Sequence, residues 1–221
     1  MSKETMLNEL LTEFDPQAVD ANEPQIRALA SDRSPAVRGL VARLGSLYVC
    51  PLMRELLLAL ADDGDEMVRT EAADSLSCYP DEEVFGKLLL LTSDPYYLVR
   101  AYACSSLGIL GEEGIRTEDA VRRLNEVSGA GGRKTVRIHC LDALYFLGDG
   151  GALDEMAAMF PSCMYRDQCA IVSCLEEMAD GSNRDRILAH LESFRGKAKG
   201  RAAETAVEKA AERIAGLRSE S

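Results

Sequence analysis

Tryptophan is absent from this 221-residue chain, and aromatic residues make up only 5% of it. A core without them must rest on Leu, Ala, Val and Met, which suits closely packed helices. Histidine is scarce as well. His139 and His190 are the two copies, and they offer no zinc-ligand spacing. Basic charge is in deficit: 25 Lys and Arg stand against 37 Asp and Glu, a net charge of −12. That argues against a nucleic-acid backbone or an anionic membrane as the main partner, since both need a basic face. The local basic run Arg195–Arg201 reads as a solvated linker. No apolar run approaches the ~18 residues of a membrane span. Met1–Leu11 carries Lys3, Glu4 and Glu9 and does not read as a signal peptide. Seven cysteines form no Cys-x-x-Cys. They read as reduced core residues of a cytoplasmic protein.

What the chain does have is a repeated dipeptide. Val-Arg occurs at Val37-Arg38, Val68-Arg69, Val99-Arg100 and Val136-Arg137, with a weaker echo at Tyr165-Arg166. The arginines are 31, 31, 37 and 29 residues apart. An Asp stands six residues before the first three: Asp32, Asp63 and Asp94. Small residues follow three and four positions after the Arg, as at Ala72-Ala73 and Ala103-Cys104, and a Leu seven after it at Leu76, Leu107 and Leu144. A period of this length marks stacked helical hairpins.

The spacing predicts Val-Arg helices over 35–48, 66–78, 95–110, 134–147 and 164–179. Partner helices are predicted over 52–61, 82–91, 118–127, 152–159 and 184–194. Ser34-Pro35 and Asp94-Pro95 place a capping residue before a Pro at the helix start. Residues 1–31 read as capping helices. The first of these spans Lys3–Phe14, with Met6, Leu7, Leu10, Leu11 and Phe14 on one stripe. Residues 32–194 carry the repeats, and 195–221 a linker and a last capping helix, all in one domain. In that last helix Ala202, Ala206, Val207, Ala210, Ile214 and Leu217 form the apolar face. The 37-residue spacing is explained by extensions at Glu112–Arg116 and Ser128–Arg133, the latter a flexible Gly-rich connection rather than a phosphate loop.

The pattern Asp-x-x-x-x-Val-Arg-x-x-Ala-x-x-x-Leu resembles HEAT repeats of the bacterial, bilin-lyase type, from Asp32 to about Ala179. The resemblance implies an all-α, right-handed α-α superhelix (armadillo/HEAT-like solenoid) of about six hairpins. It also implies an alternating ladder of Asp32, Arg38, Asp63, Arg69, Asp94, Arg100 and Arg137 between hairpins, with each Asp capping a helix N-terminus. In such stacks the Val-Arg helices line the concave face.

Positions two and five after each Arg then face the groove. They are Leu40 and Arg43, Glu71 and Asp74, Tyr102 and Ser105, His139 and Asp142, and Gln168 and Ile171, with Tyr79 and Tyr145 near the rim. Of these, Glu71, Asp74, Tyr102, Ser105, His139 and Asp142 are the candidate contact residues for a protein or peptide partner of basic character. Enzymatic readings of the same repeat type fare less well. The repeated His-Glu pairs of deoxyhypusine hydroxylases are missing, and the groove is acidic where HEAT-like DNA glycosylases need a basic face. A nucleophilic arrangement of Cys104, His139 and Asp142 rests on proximity alone. The expectation is therefore a non-catalytic binding scaffold without cofactor or metal. The alternative is a bilin-lyase-like enzyme or chromophore chaperone.

Overall fold

The computed structural model describes residue 7 and residues 18–217, and every regular element among them is helical. The helix expected over Lys3–Phe14 lies outside the described residues apart from Leu7, which is buried. Two short helices, α1 (Ala18–Ala21) and α2 (Glu23–Ala30), lead into five hairpins. Their first helices are α3 (Pro35–Leu47), α5 (Glu66–Ser75), α7 (Tyr97–Glu112), α9 (Lys134–Phe146) and α11 (Tyr165–Glu177). The partners are α4 (Pro51–Leu60), α6 (Glu82–Leu91), α8 (Thr117–Gly129), α10 (Ala152–Met159) and α12 (Arg184–Phe194). A last helix, α13 (Arg201–Ala215), packs across α11 and α12.

The Val-Arg helices stack closely on one another, while successive partner helices barely meet. Hairpins stacked in this way are wedges, and the crowded layer lies on the inside of the curve. Small residues allow the crowding. A Cβ on Gly108 of α7 would stand 2.5 Å from the Cβ of Ala143 on α9. In α3, α5, α7 and α9 the residue before each Arg and those three, four and seven after it are buried, as at Val68, Ala72, Ala73 and Leu76. Two apolar clusters result, and they divide at α7. Val99, Ala103 and Leu107 belong to the first, and Ala101 and Cys104 to the second.

Several elements depart from expectation. Helix α7 starts at Tyr97 instead of Pro95, because the Asp94 carboxylate holds the Tyr96 N–H at 2.8 Å in a turn before the helix. Helix α8 runs on to Gly129, leaving only residues 130–133 as the Gly-rich connection. On α13 the buried residues are Ala203, Val207, Ala210 and Ile214, whereas Ala202 and Leu217 are exposed.

The fifth unit is shifted by two residues. Tyr165, read as core, is exposed, and Gln168 and Ile171, read as groove-facing, are fully buried. Ile171, Val172 and Leu175 take the core positions three, four and seven after Gln168. Gln168 therefore occupies the arginine position, and it stands 31 residues after Arg137. Among the cysteines, Cys104, Cys140 and Cys163 are buried, while Cys50, Cys78, Cys169 and Cys174 keep partial access to solvent.

Candidate functional site

Two sets of side chains organise the stack: the pairs between hairpins and the stripe along the inner layer. Arg38 donates from Nε and Nη2 to both carboxylate oxygens of Asp63, at 2.6 and 2.7 Å. Arg69 grips Asp94 in the same way, at 2.8 and 3.0 Å. Each arginine also turns Nη1 back to the carbonyl six residues earlier: Arg38 to Asp32, Arg69 to Asp63 and Arg100 to Asp94. The Arg69–Asp94 pair is only 14% and 7% exposed, so these forks are largely desolvated. The Arg38 guanidinium holds the Asp63 carboxyl below the usual carboxylate range, with burial opposing it.

The aspartates do not cap helices as expected. Asp32, Asp63 and Asp94 each accept the N–H two residues ahead, in the turn before the helix. Asp65 caps α5, accepting from Met67 and Val68. The row stops at Arg100. Arg137 pairs instead with Glu155 on its own hairpin, an exposed contact at 2.5 Å. In the fifth unit Gln168 does the fastening without charge. Its amide nitrogen donates to the carbonyls of Phe160 and Lys197, at 2.9 and 3.0 Å, and its oxygen accepts the Lys199 N–H at 2.7 Å. The basic linker is thus pinned by its backbone while its charges remain in water.

The inner stripe forms two groups. In the first, Arg43 approaches Glu71 at 3.7 Å, and Glu71 and Asp74 act electrostatically on Tyr102. The Tyr102 and His139 rings lie 5.4 Å apart, and Ser105 Oγ is 2.8 Å from His139 Nδ1. Burial raises the pKa of Glu71 and Asp74, with Arg43 opposing. Asp74 is an exposed residue as a whole, yet its neighbours displace enough water from the carboxyl to disfavour its charge. Burial lowers His139 to about 4, so its imidazole is neutral at pH 7.

The second group surrounds Asp142. Its Oδ1 is buried and has no hydrogen-bond partner. Desolvation pushes its pKa up to about 6, Glu177 and Glu112 adding to the rise and the Cys174 thiol opposing it. Cys104 contacts Cys140, His139 contacts Ser105 and Asp142 contacts the Cys174 thiol, so among the described residues no contact links Cys104, His139 and Asp142 to one another. Tyr79, expected at the rim, is buried and donates its hydroxyl to the Gly45 carbonyl of the preceding hairpin at 2.8 Å. Tyr145 accepts from Asn183 Nδ2 at 2.6 Å.

Sequence reasoning missed a row of exposed apolar side chains on the same face. Leu47, Ile109 and Phe146 each stand nine residues after an Arg and are 43%, 44% and 43% exposed. On a helix, position nine falls between positions two and five, so the Val-Arg period contained this signal. Among the described residues, no group of three or more His, Cys, Asp or Glu side chains could hold a metal ion. No helix among them is long and apolar enough to cross a membrane.

Comparison with known proteins agrees with this architecture. The HEAT repeats family model matches residues 22–108. No curated protein matches the chain. Among solved structures, a chain of the complex of CpcE and CpcF of phycocyanin lyase from Nostoc sp. PCC7120 is similar. It has a TM-score of 0.60 at 13% identity, covering 97% of this chain and 95% of that one. An engineered protein is similar at a TM-score of 0.47 and 16% identity, over 97% of each chain. The chain is an all-helical α-solenoid, and its residues 22–108 match the HEAT repeats model.

Proposed function

We propose that this solenoid is a non-catalytic scaffold that binds a protein or peptide partner of basic, amphipathic character along its inner face. The observation that carries the reading is the juxtaposition on that face. Glu71 and Asp74 act on Tyr102, whose ring meets His139, while Asp142 and the exposed Leu47, Ile109 and Phe146 occupy the same face of their helices by position. These carboxylates are partly desolvated without a full set of partners, so an incoming Lys or Arg relieves a cost already present. Tyr102 offers a cation–π surface and the apolar row offers area to bury. Ser105 orients His139.

A labelled amphipathic helix of Lys and Leu is the test ligand, read by fluorescence anisotropy. It binds more weakly as salt rises, because charge pairs at a surface are screened over ~8–10 Å. Asp74→Lys with Tyr102→Ala weakens it at least roughly tenfold, equal to about 1.4 kcal/mol, and leaves the helical circular dichroism unchanged. Unaltered binding by that double variant overturns the inner-face reading.

A second reading is a bilin-lyase-like enzyme or chromophore chaperone. It is supported by the fold shared with the phycocyanin lyase chain. Incubation with a free bilin separates the two, since only the second predicts a spectral shift.

A further inference from the structure

The fourth unit interrupts a construction that the first three keep. Six residues before Arg38, Arg69 and Arg100 stand Asp32, Asp63 and Asp94; six before Arg137 stands Gly131. Asp63 and Asp94 each receive the Nε–Nη2 edge of the arginine one unit earlier. Arg100 has no such carboxylate ahead of it. Its Nη1 is engaged by the Asp94 and Pro95 carbonyls at 2.7 and 3.0 Å, and among the described residues its Nε and Nη2 have no acceptor. It takes part in none of the ion pairs among those residues, although it is partly buried.

In front of that guanidinium opens a notch of about 170 Å³, lined by Arg100, Arg123, Arg133, Gly131 and Glu126. A Cβ on Gly131 would meet no atom within 4 Å, so the room an aspartate would need is open. Arg123 is committed to Thr92, Ser93 and Glu126. Arg133 lies over the Tyr97 ring at 4.9 Å, with no acidic partner among the described residues. The notch therefore holds two uncompensated cations and one balanced pair.

We propose that this notch is a carboxylate-binding site, in which an acidic group from outside the chain completes the fork that Gly131 leaves unmade. The geometry is already realised twice in this molecule, where a guanidinium edge takes two coplanar oxygens at 2.6–3.0 Å. The two internal forks each take a planar carboxylate, so the shape of the missing partner is that of a carboxylate rather than a tetrahedral phosphate. The carboxylate belongs to a small organic acid or to a polypeptide, as an acidic side chain or a free C-terminus. The site is separate from the inner face, and its sign is opposite: it takes an anion where that face takes cations.

The test uses the full-length chain labelled with nitrogen-15 and follows the arginine Nε–H resonances during titration with sodium acetate at constant ionic strength. The Arg100 signal shifts and saturates, whereas those of Arg38 and Arg69 stay still because their edges are occupied. Gly131→Asp moves the Arg100 resonance toward those two and removes the response to acetate. Gly131 has φ +77°, which strains an aspartate. Arg100→Lys is therefore the second variant. It keeps the charge but loses the fork, and weakens acetate binding, followed at the Gly131 amide, by roughly tenfold.

A peptide with a free C-terminus is then compared with its C-terminal amide and with acetate. Tighter binding of the peptide acid assigns a polypeptide source, and equal binding assigns a small acid; both support the site. The proposal fails if acetate leaves Arg100 unmoved, shifts all three arginines alike, or is outcompeted by inorganic phosphate.

Discussion

Residues 32–100 and 134–199 stack the same kind of hairpin but fasten it differently. In the first region each junction carries an arginine fork that is mostly out of water. In the second, Arg137 has left the row for an exposed contact, and a neutral Gln168 makes three hydrogen bonds to backbone. The apolar core divides at α7, close to where the charged row ends. The comparison teaches that a directional polar tie between hairpins need not be charged, and that one junction, ahead of Arg100, is packed without a fork of this kind. A charged tie couples the junction to pH; an amide tie does not.

The largest expected effect separates the regions directly. Arg69→Ala leaves the Asp94 carboxylate buried and unpaired and costs about 2–4 kcal/mol. Arg137→Ala, at a pair half open to water, costs less than about 1 kcal/mol. Urea midpoints of the two variants measure the contrast, and equal losses would erase the distinction.

Crowding at the boundary comes next. Gly108→Val drives a side chain into Ala143, whose Cβ and backbone cannot yield, and costs about 1–3 kcal/mol. If the thermal midpoint is unchanged, α7 and α9 are not held as closely as described.

The neutral tie should fail locally. Gln168→Leu keeps the volume but strands the Phe160 and Lys197 carbonyls and the Lys199 N–H, at a cost of roughly 1–2 kcal/mol. Hydrogen exchange should speed up in α13 first and leave α3–α6 protected. Uniform acceleration would show that the two regions open together.

The smallest effect concerns pH. Asp142 holds its proton more tightly when folded, so its contribution is present at low pH and is lost as pH rises through about 6. Asp63, with a lowered pKa, contributes above the ordinary carboxylate range and loses that contribution as pH falls. His139, lowered to about 4, also loses stability as pH falls below its ordinary range. Asp142→Asn isolates the first of these. It should stabilise the chain by about 1 kcal/mol at pH 7 and by progressively less below pH 6. A gain independent of pH would remove the carboxylate as its cause.

Most of the fold was legible because the Val-Arg motif ties a core position to a charged one at a constant interval. The fifth unit was misplaced for the same reason. Tyr165-Arg166 imitated the motif two residues early, while Gln168, at the true position, carries no charge to mark it. The apolar spacing of Ile171, Val172 and Leu175 held the correct register. On the inner face, positions two and five after the Arg were readable in the first four units, but Leu47, Ile109 and Phe146 were overlooked. Exposed apolar residues look like core in a sequence until the opposite face is known to be full. Desolvation at His139 and Asp142 was not readable at all, because it depends on which helices close over them.

The arginine forks also bear on how the stack can grow. A unit such as residues 64–94 contains one arginine that reaches forward, Arg69, and one aspartate that is reached from behind, Asp94. A tandem copy of that 31-residue segment leaves every existing fork intact and brings its own pair, with no charge orphaned. Residues 134–168 lack this reciprocity, since Gln168 ties to backbone beyond the repeat. The front of the solenoid is thus built from interchangeable parts that duplication can lengthen, and the units from residue 134 on are not interchangeable in this way.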